Sequence, residues 1–204
     1  MSKSYLRRVL IMIASGLVIG LGIHLAVSAN VGTDPMTTFQ VGLSKTLKLD
    51  LALCSFMANV LFTVLSFIVD KKSVSIIDLF YPFIISVGIK LTSWIALPVN
   101  LMVYRYIYLL LALVVVGLGI GLGVNSQISK SPYDGFSVIV SEKTNKQFKL
   151  VRLVIDIIML IMGVALRGNF GTGTFISMLL QGTIAQFFID NLKKSEFLRD
   201  FIAE

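Results

Sequence analysis

The stretch VIGLGIHLAVSANVGTDPMTTFQVGLS (residues 18–44) recurs without a gap as VVGLGIGLGVNSQISKSPYDGFSVIVS (residues 115–141). Apolar, glycine-rich segments can match by chance, but here a proline and three further residues stay in register beyond a polar loop. These later identical pairs are Pro35/Pro132, Phe39/Phe136, Val41/Val138 and Ser44/Ser141. The alignment predicts two internal repeats, at residues 9–97 and 104–192, an architecture that is common among small-solute transporters.

The composition excludes a water-soluble globular protein. Of the 204 residues, 56% are hydrophobic and 14% are charged, with a mean hydropathy of +0.88, whereas a soluble domain carries about 25% charged residues. The formal net charge of +7 does not indicate nucleic acid as a partner, because the basic residues flank apolar runs, as the positive-inside bias requires. We expect a single membrane domain, residues 1–204, in contact with the lipid bilayer.

The first 30 residues also resemble a secretory signal peptide. They combine a basic start, an apolar run and the small-residue sequence Val27-Ser28-Ala29, the pattern that precedes a cleavage site. The second copy of the pattern lies in mid-chain, where no leader is removed, so we expect residues 9–30 to be retained as a structural helix. Cys54 is the single cysteine and cannot form a disulfide within the chain.

A family resemblance rests on four short features. The glycine-rich first helix, the loops GTDP (residues 32–35) and SKSP (residues 129–132), and GTGT (residues 171–174) resemble the YczE/YyaS/YitT group of small bacterial membrane proteins. The resemblance covers essentially the whole chain and implies a multi-pass protein of the bacterial cytoplasmic membrane, without implying a particular chemistry. Ser129 stands where the first copy has Gly32, so that loop position marks the group less well.

The apolar runs predict an all-α integral membrane protein with six spans, at residues 9–30, 51–69, 76–97, 106–124, 151–166 and 175–189. Crossing a ~30 Å hydrocarbon layer takes ~20 residues. Residues 35–48 and 132–145 each begin with proline and are too short to cross, at about 21 Å, so we expect re-entrant or interfacial helices. Three spans per half would invert the two repeats, whereas four would make them parallel. The third spans align through Gly88 and Gly182, with a small gap.

The distribution of lysine and arginine predicts that both termini are cytoplasmic. With six spans, most basic residues fall inside, as the positive-inside rule requires. An arrangement with eight crossings satisfies the rule equally well, so helix length is what favours six. The inside set is Lys3, Arg7, Arg8, Lys71, Lys72, Lys130, Lys143, Lys146, Lys149, Arg152, Lys193, Lys194 and Arg199; the outside set is Lys45, Lys48, Arg105 and Arg167.

The sequence contains no Gly-x-Ser-x-Gly, His-Glu-x-x-His or phosphate-binding loop motif, and we predict no catalytic residue, cofactor or metal site. His24 is the only histidine and has Ser28 one turn away. Its repeat partner is Gly121, and an intramembrane serine protease normally presents nucleophile and base from different elements. We therefore expect His24 to line a cavity, with hydrogen bonding inside the bundle as the alternative.

Polar residues deep in predicted spans are the best candidates for solute contacts, because they usually face the bundle interior or a water-filled cavity. The repeat register pairs Asn59 with Asp156, and Arg152 precedes Asp156 by one turn. A structural ion pair and a site for substrate or proton coupling explain this arrangement equally well. Gln181 adds polarity to the last span.

The two proline loops complete the candidate site. Asp34-Pro35 and Ser131-Pro132 each combine an N-cap residue with a proline at the first helical position. A short helix that begins inside the protein points unpaired N–H groups and a positive dipole end at the interior, which suits an anionic group. Ordinary capping of an interfacial helix is the simpler alternative.

These residues predict a secondary transporter or carrier whose small solute lies between the two repeats. Two other classes fit the sequence as well: a substrate-capturing membrane subunit of a larger transport complex, and a non-transporting scaffold or regulatory protein. A co-purifying ligand would favour the capture subunit, and transport by the purified protein alone would favour the carrier. A second copy of the chain or a partner membrane protein would accompany either of these alternatives.

Overall fold

A computed structural model describes residues 3–95, 101–128 and 131–195. Within these ranges the chain forms eight α-helices, a short 3-10 turn and no β-strand, which confirms the predicted all-α class. The helices are α1 (Lys3–Ala29), α2 (Pro35–Leu47), α3 (Leu51–Val69), α4 (Ile76–Thr92), α5 (Met102–Ser126), α6 (Pro132–Thr144), α7 (Phe148–Ala165) and α8 (Thr172–Lys194). Of the residues singled out above, Ser129, Lys130 and Arg199 lie outside the described ranges.

Local chemistry sets the helix boundaries. Asp34 caps α2, where Pro35 occupies the first helical position, and Asp50 caps α3 through the backbone N–H of Ala52. Side-chain oxygens at these positions satisfy N–H groups that have no partner within the helix. Ser75 and Asp78 form a reciprocal capping box at the start of α4. Helices α2, α3 and α4 therefore each begin at a residue defined by a side-chain cap.

The chain is a helical membrane protein. Among the described residues, four helices are long and apolar enough to cross a bilayer: α1, α3, α5 and α8, with mean hydropathies of 2.3, 2.2, 2.6 and 1.2. The other two predicted spans fall short by these criteria, because α4 has 17 residues and α7 carries Lys149, Arg152 and Asp156 within 18 residues. Six crossings and the two repeats thus stay predictions.

Helices α1 and α5 pack against each other along their length and run in opposite directions. A methyl group on Gly22 would meet Val116, one on Gly119 would meet Ile19, and Arg8 donates to Gln127 over 2.7 Å. Residue numbers thus fall along α5 as they rise along α1. The two helices that share the repeated sequence are antiparallel.

The remaining contacts lie partly within each half and partly between the halves. Helix α4 packs on α1, and α8 packs on α5, while α2 packs against α7 and α6 against α3. Gly20 allows the backbones of α1 and α4 to approach, since a Cβ there would lie 2.6 Å from the backbone of Gly88. At the matching position Gly117 faces Ile184, whereas Gly182 has no neighbour within 4 Å of a Cβ. The predicted pairing of Gly88 with Gly182 is therefore wrong, and Gly88 corresponds to Ile184.

Two ends of the bundle can be distinguished. Helix α1 begins, and α3, α5 and α8 end, at one end, which we call the basic end. It contains Arg8 beside Gln127, Lys143 beside Asp70, and Lys193 and Lys194 in the last turn of α8. At the opposite end, Lys45 donates to Asn169 over 2.7 Å and Tyr106 bonds Thr172. Both described termini therefore lie at the basic end.

Candidate functional site

Arg152 of α7 joins two carboxylates inside the bundle. Its Nε lies 3.2 Å from Oδ1 of Asp156, one turn later on α7, and its Nη1 contacts Oδ1 of Asp134 on α6. The guanidinium carbon lies 4.2 Å from the centre of the Tyr133 ring, a cation–π arrangement. The Arg152 and Asp156 side chains are 26% and 15% exposed, so their attraction is screened less than that of a surface pair.

Tyr133 holds the beginning of α6 between two long helices. Its hydroxyl donates to Oδ1 of Asp156 over 2.6 Å, and its ring meets the ring of Phe62 on α3 edge-on, with centres 4.8 Å apart. Tyr133 follows Pro132 at the start of α6, whereas Asp156 and Phe62 lie in the middle of α7 and α3. The short helix α6 therefore begins within the bundle and ends at the basic end.

Helix α2 begins in the same interior region. Met36, the second residue of α2, belongs to the core cluster that contains Phe62 and Tyr133. Oδ1 of the N-cap residue Asp34 accepts a hydrogen bond from the backbone of Thr37 at 3.1 Å. The last turn of α2 lies at the opposite end, where Thr46 donates to the carbonyl of Leu166. The two proline-started helices thus leave the interior in opposite directions.

Among the described residues, the interior carries more carboxylates than cations. Asp34 is close enough to Asp156 and Tyr133 to interact with them electrostatically, and Asp134 and Asp156 both bind the single guanidinium of Arg152. The N-terminal ends of α2 and α6 offset part of this surplus, and a bound proton or another cation would balance the rest. The arrangement is thus suited to exchanging a cation.

The first half has a neutral network at the positions that correspond in the repeat register. Asn59, the counterpart of Asp156, donates from its amide nitrogen to the carbonyl and hydroxyl oxygens of Ser55 at 2.9 and 3.4 Å. Ser55 is the counterpart of Arg152 and is fully buried. Helix α3 continues this buried polar stripe with Thr63 and Ser66. The two halves therefore share a geometry but differ in charge.

A buried acceptor without a partner lies on α2. Gln40 is 1% exposed, and its Oε1 accepts no hydrogen bond from the described residues. Buried side-chain oxygens almost always have a donor, so an orphaned one has to be explained by a water molecule or a ligand. Gln40 comes four residues after Met36, on the helix that begins near the Arg152 network, and it was not among the predicted site residues.

A cavity of about 520 Å³ extends from the basic end toward the start of α6. Its volume lies in the range of small-molecule sites. Thr63 and Ser66 of α3 form one side, and Pro132, Gly135 and Ile139 of α6 form another. Since Tyr133 and Asp134 face α7, helix α6 separates this cavity from the Arg152 network.

The structure brings together only part of the predicted site. Asp156, Arg152, Asp34, Pro35 and Pro132 lie in or beside the region where the short helices begin, and Ser131 is the N-cap of α6, without a side-chain capping bond. Asn59 bonds Ser55 on its own helix. His24 lies toward the opposite end, where Nε2 bonds the carbonyl of Ile95 at 3.0 Å. Gln181 lies on α8, with a buried Nε2 that has no described partner.

Two important residues were missed by sequence reasoning. Tyr133 and Asp134 follow the predicted N-cap Ser131 directly, and both bind residues of α7. A usable signal was present, because Arg152 is a cation in an apolar segment with more than one charge to satisfy, and Asp134 is an acid in a short helix predicted to enter the interior. Only packing shows that the two meet.

The described residues contain no group of three or more His, Cys, Asp or Glu side chains arranged to hold a metal ion. Outside the helices, hydrogen bonding lowers the pKa of two carboxyl groups. The Lys90 ammonium, 2.5 Å away, and the backbone of Ala52 lower the pKa of Asp50. The hydroxyl of Ser73 lowers the pKa of Asp70, which also faces Lys143 at the basic end.

Comparisons with known proteins agree with the resemblance expected from the loops. The chain is 24% identical over 176 residues to the protein printed as "Uncharacterized protein YyaS" of Bacillus subtilis (strain 168), which covers 85% of this chain and 88% of that protein. No solved structure matches the chain significantly. The family of unknown function DUF6198 matches residues 6–190. The chain therefore belongs to DUF6198 and is similar to YyaS, as the resemblance implied.

Proposed function

We propose that this protein is a small secondary transporter of the bacterial cytoplasmic membrane, with six spans in two inverted repeats and a solute site between them. The antiparallel packing of α1 on α5 carries the proposal. With three spans per half, the first helices of the two repeats cross the membrane in opposite directions, as α1 and α5 do. With four spans per half they would cross in the same direction, which does not agree with this packing. Inverted repeats around an interior site are a recurrent plan of secondary transporters.

The two proline-started helices support a site at the centre. Transporter sites are typically formed where interrupted helices begin near the middle of the membrane, and α2 and α6 both begin beside the core that contains Tyr133. Asp156, Asp134 and Arg152 supply charges that can bind a solute or a coupling ion. The cavity lined by Thr63, Ser66 and α6 would be the route from the basic end.

The topology has a direct test. We expect Lys71 and Lys72 on the cytoplasmic side and Lys45 and Lys48 outside. A cysteine at position 46 should react with an impermeant thiol reagent added to whole cells, and one at position 73 should react only after permeabilisation. The native Cys54 is buried and gives little background. The opposite labelling pattern would make the repeats parallel.

Transport itself is tested by reconstitution of the purified protein into liposomes, followed by a screen of small solutes. We expect uptake that requires the protein alone and is lost in Asp156→Asn. If a tightly bound ligand co-purifies with the protein and the liposomes show no uptake, the protein is better described as a substrate-capturing subunit than as a carrier. A stable protein partner in the absence of both activities would favour a scaffold and overturn the transport proposal.

A further inference from the structure

The two halves differ in one helix contact. Helix α4 packs on α3 as well as on α1, whereas α8 packs on α5 and makes no comparable contact with α7 among the described residues. The contacts of Gly20 and Gly117 show that α8 position n corresponds to α4 position n − 96. On this alignment, buried Ser86 of α4 corresponds to Gly182 of α8, which has open space around it.

The uncovered part of α8 is unsuited to permanent exposure to lipid. Gly182 and Thr183 lie about 15 Å from the start of the helix, near the middle of a span with the lowest mean hydropathy of the four candidates, 1.2. Polar residues at this depth normally face protein or water. Both helices also expose apolar side chains, among them Phe80 and Phe83 on α4 and Leu179 and Phe187 on α8, so the polar residues at the middle of α8 are what distinguishes it.

The contact between α3 and α4 includes a charged pair, and the corresponding positions on α7 and α8 are occupied by two glutamines. Asp50, the N-cap of α3, binds Lys90 of α4 at 2.5 Å at the opposite end. The corresponding residues are Gln147, the N-cap of α7, and Gln186 of α8, which donates to Asp190 within its own helix. Gln147 and Gln186 both lie toward the basic end, where α7 begins and α8 ends.

We propose that α7 closes onto α8 at the basic end in a second conformation in which α3 separates from α4 at the opposite end, so that access to the interior changes from one end to the other. The inference rests on the proposed carrier function and deepens it: exchanging the conformations of two inverted repeats converts one access state into the other. The Asp50–Lys90 pair stabilises the described state, and α7 covers Gly182 and Thr183 in the second.

The experiment uses two matched cysteine pairs in the full-length protein in liposomes, with a short bifunctional thiol reagent. Asp50→Cys with Lys90→Cys reports the α3–α4 contact, and Gln147→Cys with Gln186→Cys reports the α7–α8 contact. We expect both pairs to form cross-links within one chain. Single-cysteine variants control for modification without bridging. Cross-linking needs no solute, so its result is separate from failure to find transport.

The second pair should respond to the first contact. Adding Asp50→Asn to Gln147→Cys with Gln186→Cys should raise the rate of α7–α8 cross-linking by up to about fivefold. This is the change in population of the second conformation that results from loss of an exposed ion pair. Three outcomes overturn the proposal: no bridge between positions 147 and 186, a bridge only between two chains, and a rate that Asp50→Asn does not change. The second would make α8 an interface with another copy.

Discussion

The two halves of this molecule place their charges differently. In the first half, an ion pair between Asp50 and Lys90 lies at the end of the bundle, and the interior network of Ser55 and Asn59 is neutral. In the second half, Arg152 and its two carboxylates lie in the interior, and Gln147 and Gln186 occupy the positions at the end.

This difference separates a shared architecture from a specialised interior. The same i, i+4 geometry holds Asn59 to Ser55 and Asp156 to Arg152, so buried charge is not required by the helix packing itself. Ion pairs taken out of water seldom stabilise a protein more than apolar or neutral groups of similar shape. Stability alone therefore does not account for the charges of the second half, and the proposed solute or coupling site would require them.

Arg152→Ala should break this comparison most severely. The substitution removes the cation from Asp134 and Asp156 and leaves two carboxylates in a largely desolvated site, a loss of about 3–5 kcal/mol when one partner of a buried pair is removed. The matched change in the first half, Ser55→Ala, should cost about 1 kcal/mol or less, because Asn59 keeps its bond to the backbone.

The measurement is the free energy of unfolding of both purified variants in the same detergent, with protein yield as a first indication. Arg152→Lys serves as a control, since it keeps a positive charge and loses the forked geometry. If Arg152→Ala and Ser55→Ala cost the same, the interior charges are not coupled and the asymmetry between the halves has no energetic meaning.

Asp156→Asn tests whether the charge of the second half is functional. The amide is nearly isosteric and can still accept the hydrogen bond from Tyr133, so we expect a stability loss of at most about 1.5 kcal/mol. Solute uptake or ligand binding should nevertheless be lost. Asn59→Ala, at the corresponding position, should reduce uptake less. An Asp156→Asn protein with normal folding and full uptake would remove this residue from the site.

The sequence predicted the helices well because its signals are local. Prolines at positions 35 and 132 and the carboxylates of Asp34 and Asp50 define helix starts. Predicted span 51–69 coincides with α3, while span 76–97 was too long, since α4 ends at Thr92. The pairing of the third spans failed because apolar sequences align equally well at several offsets, and packing at Gly20 and Gly117 decides between them.

The site was predictable only as far as single helices determine it. The Arg152–Asp156 pair follows from a spacing of four residues on α7, and the structure contains it. The contributions of Tyr133 and Asp134 depend on where α6 enters the bundle, which no spacing along the chain determines. His24, the only histidine, bonds the carbonyl of Ile95 toward the opposite end and lies 3.5 Å from the hydroxyl of Ser28. Its contribution to a site stays a prediction.

The last comparison concerns the ion pair between Asp50 and Lys90, whose positions are occupied in the second half by Gln147 and Gln186. Lys90 lowers the pKa of Asp50 in the folded protein, so the stabilisation is present above the unfolded pKa, near pH 4, and is lost as the pH falls through the folded value. Both side chains are about half exposed, at 46% for Asp50 and 65% for Lys90, and solvent screening reduces the contribution to about 0.2–1 kcal/mol.

Asp50→Asn should therefore lower the free energy of unfolding by this small amount at pH 7, and the difference from the wild type should shrink below the unfolded pKa and disappear once the folded carboxyl is protonated as well. Gln147→Asn, at the corresponding N-cap of α7, introduces no ionisable group and should show no such pH dependence. Denaturation of the wild type and both variants between pH 3 and pH 8 provides the measurement. A difference between wild type and Asp50→Asn that persists unchanged at the lowest pH would assign the effect to capping of α3 through Ala52, and the ion pair would then not be what distinguishes the two halves at their ends.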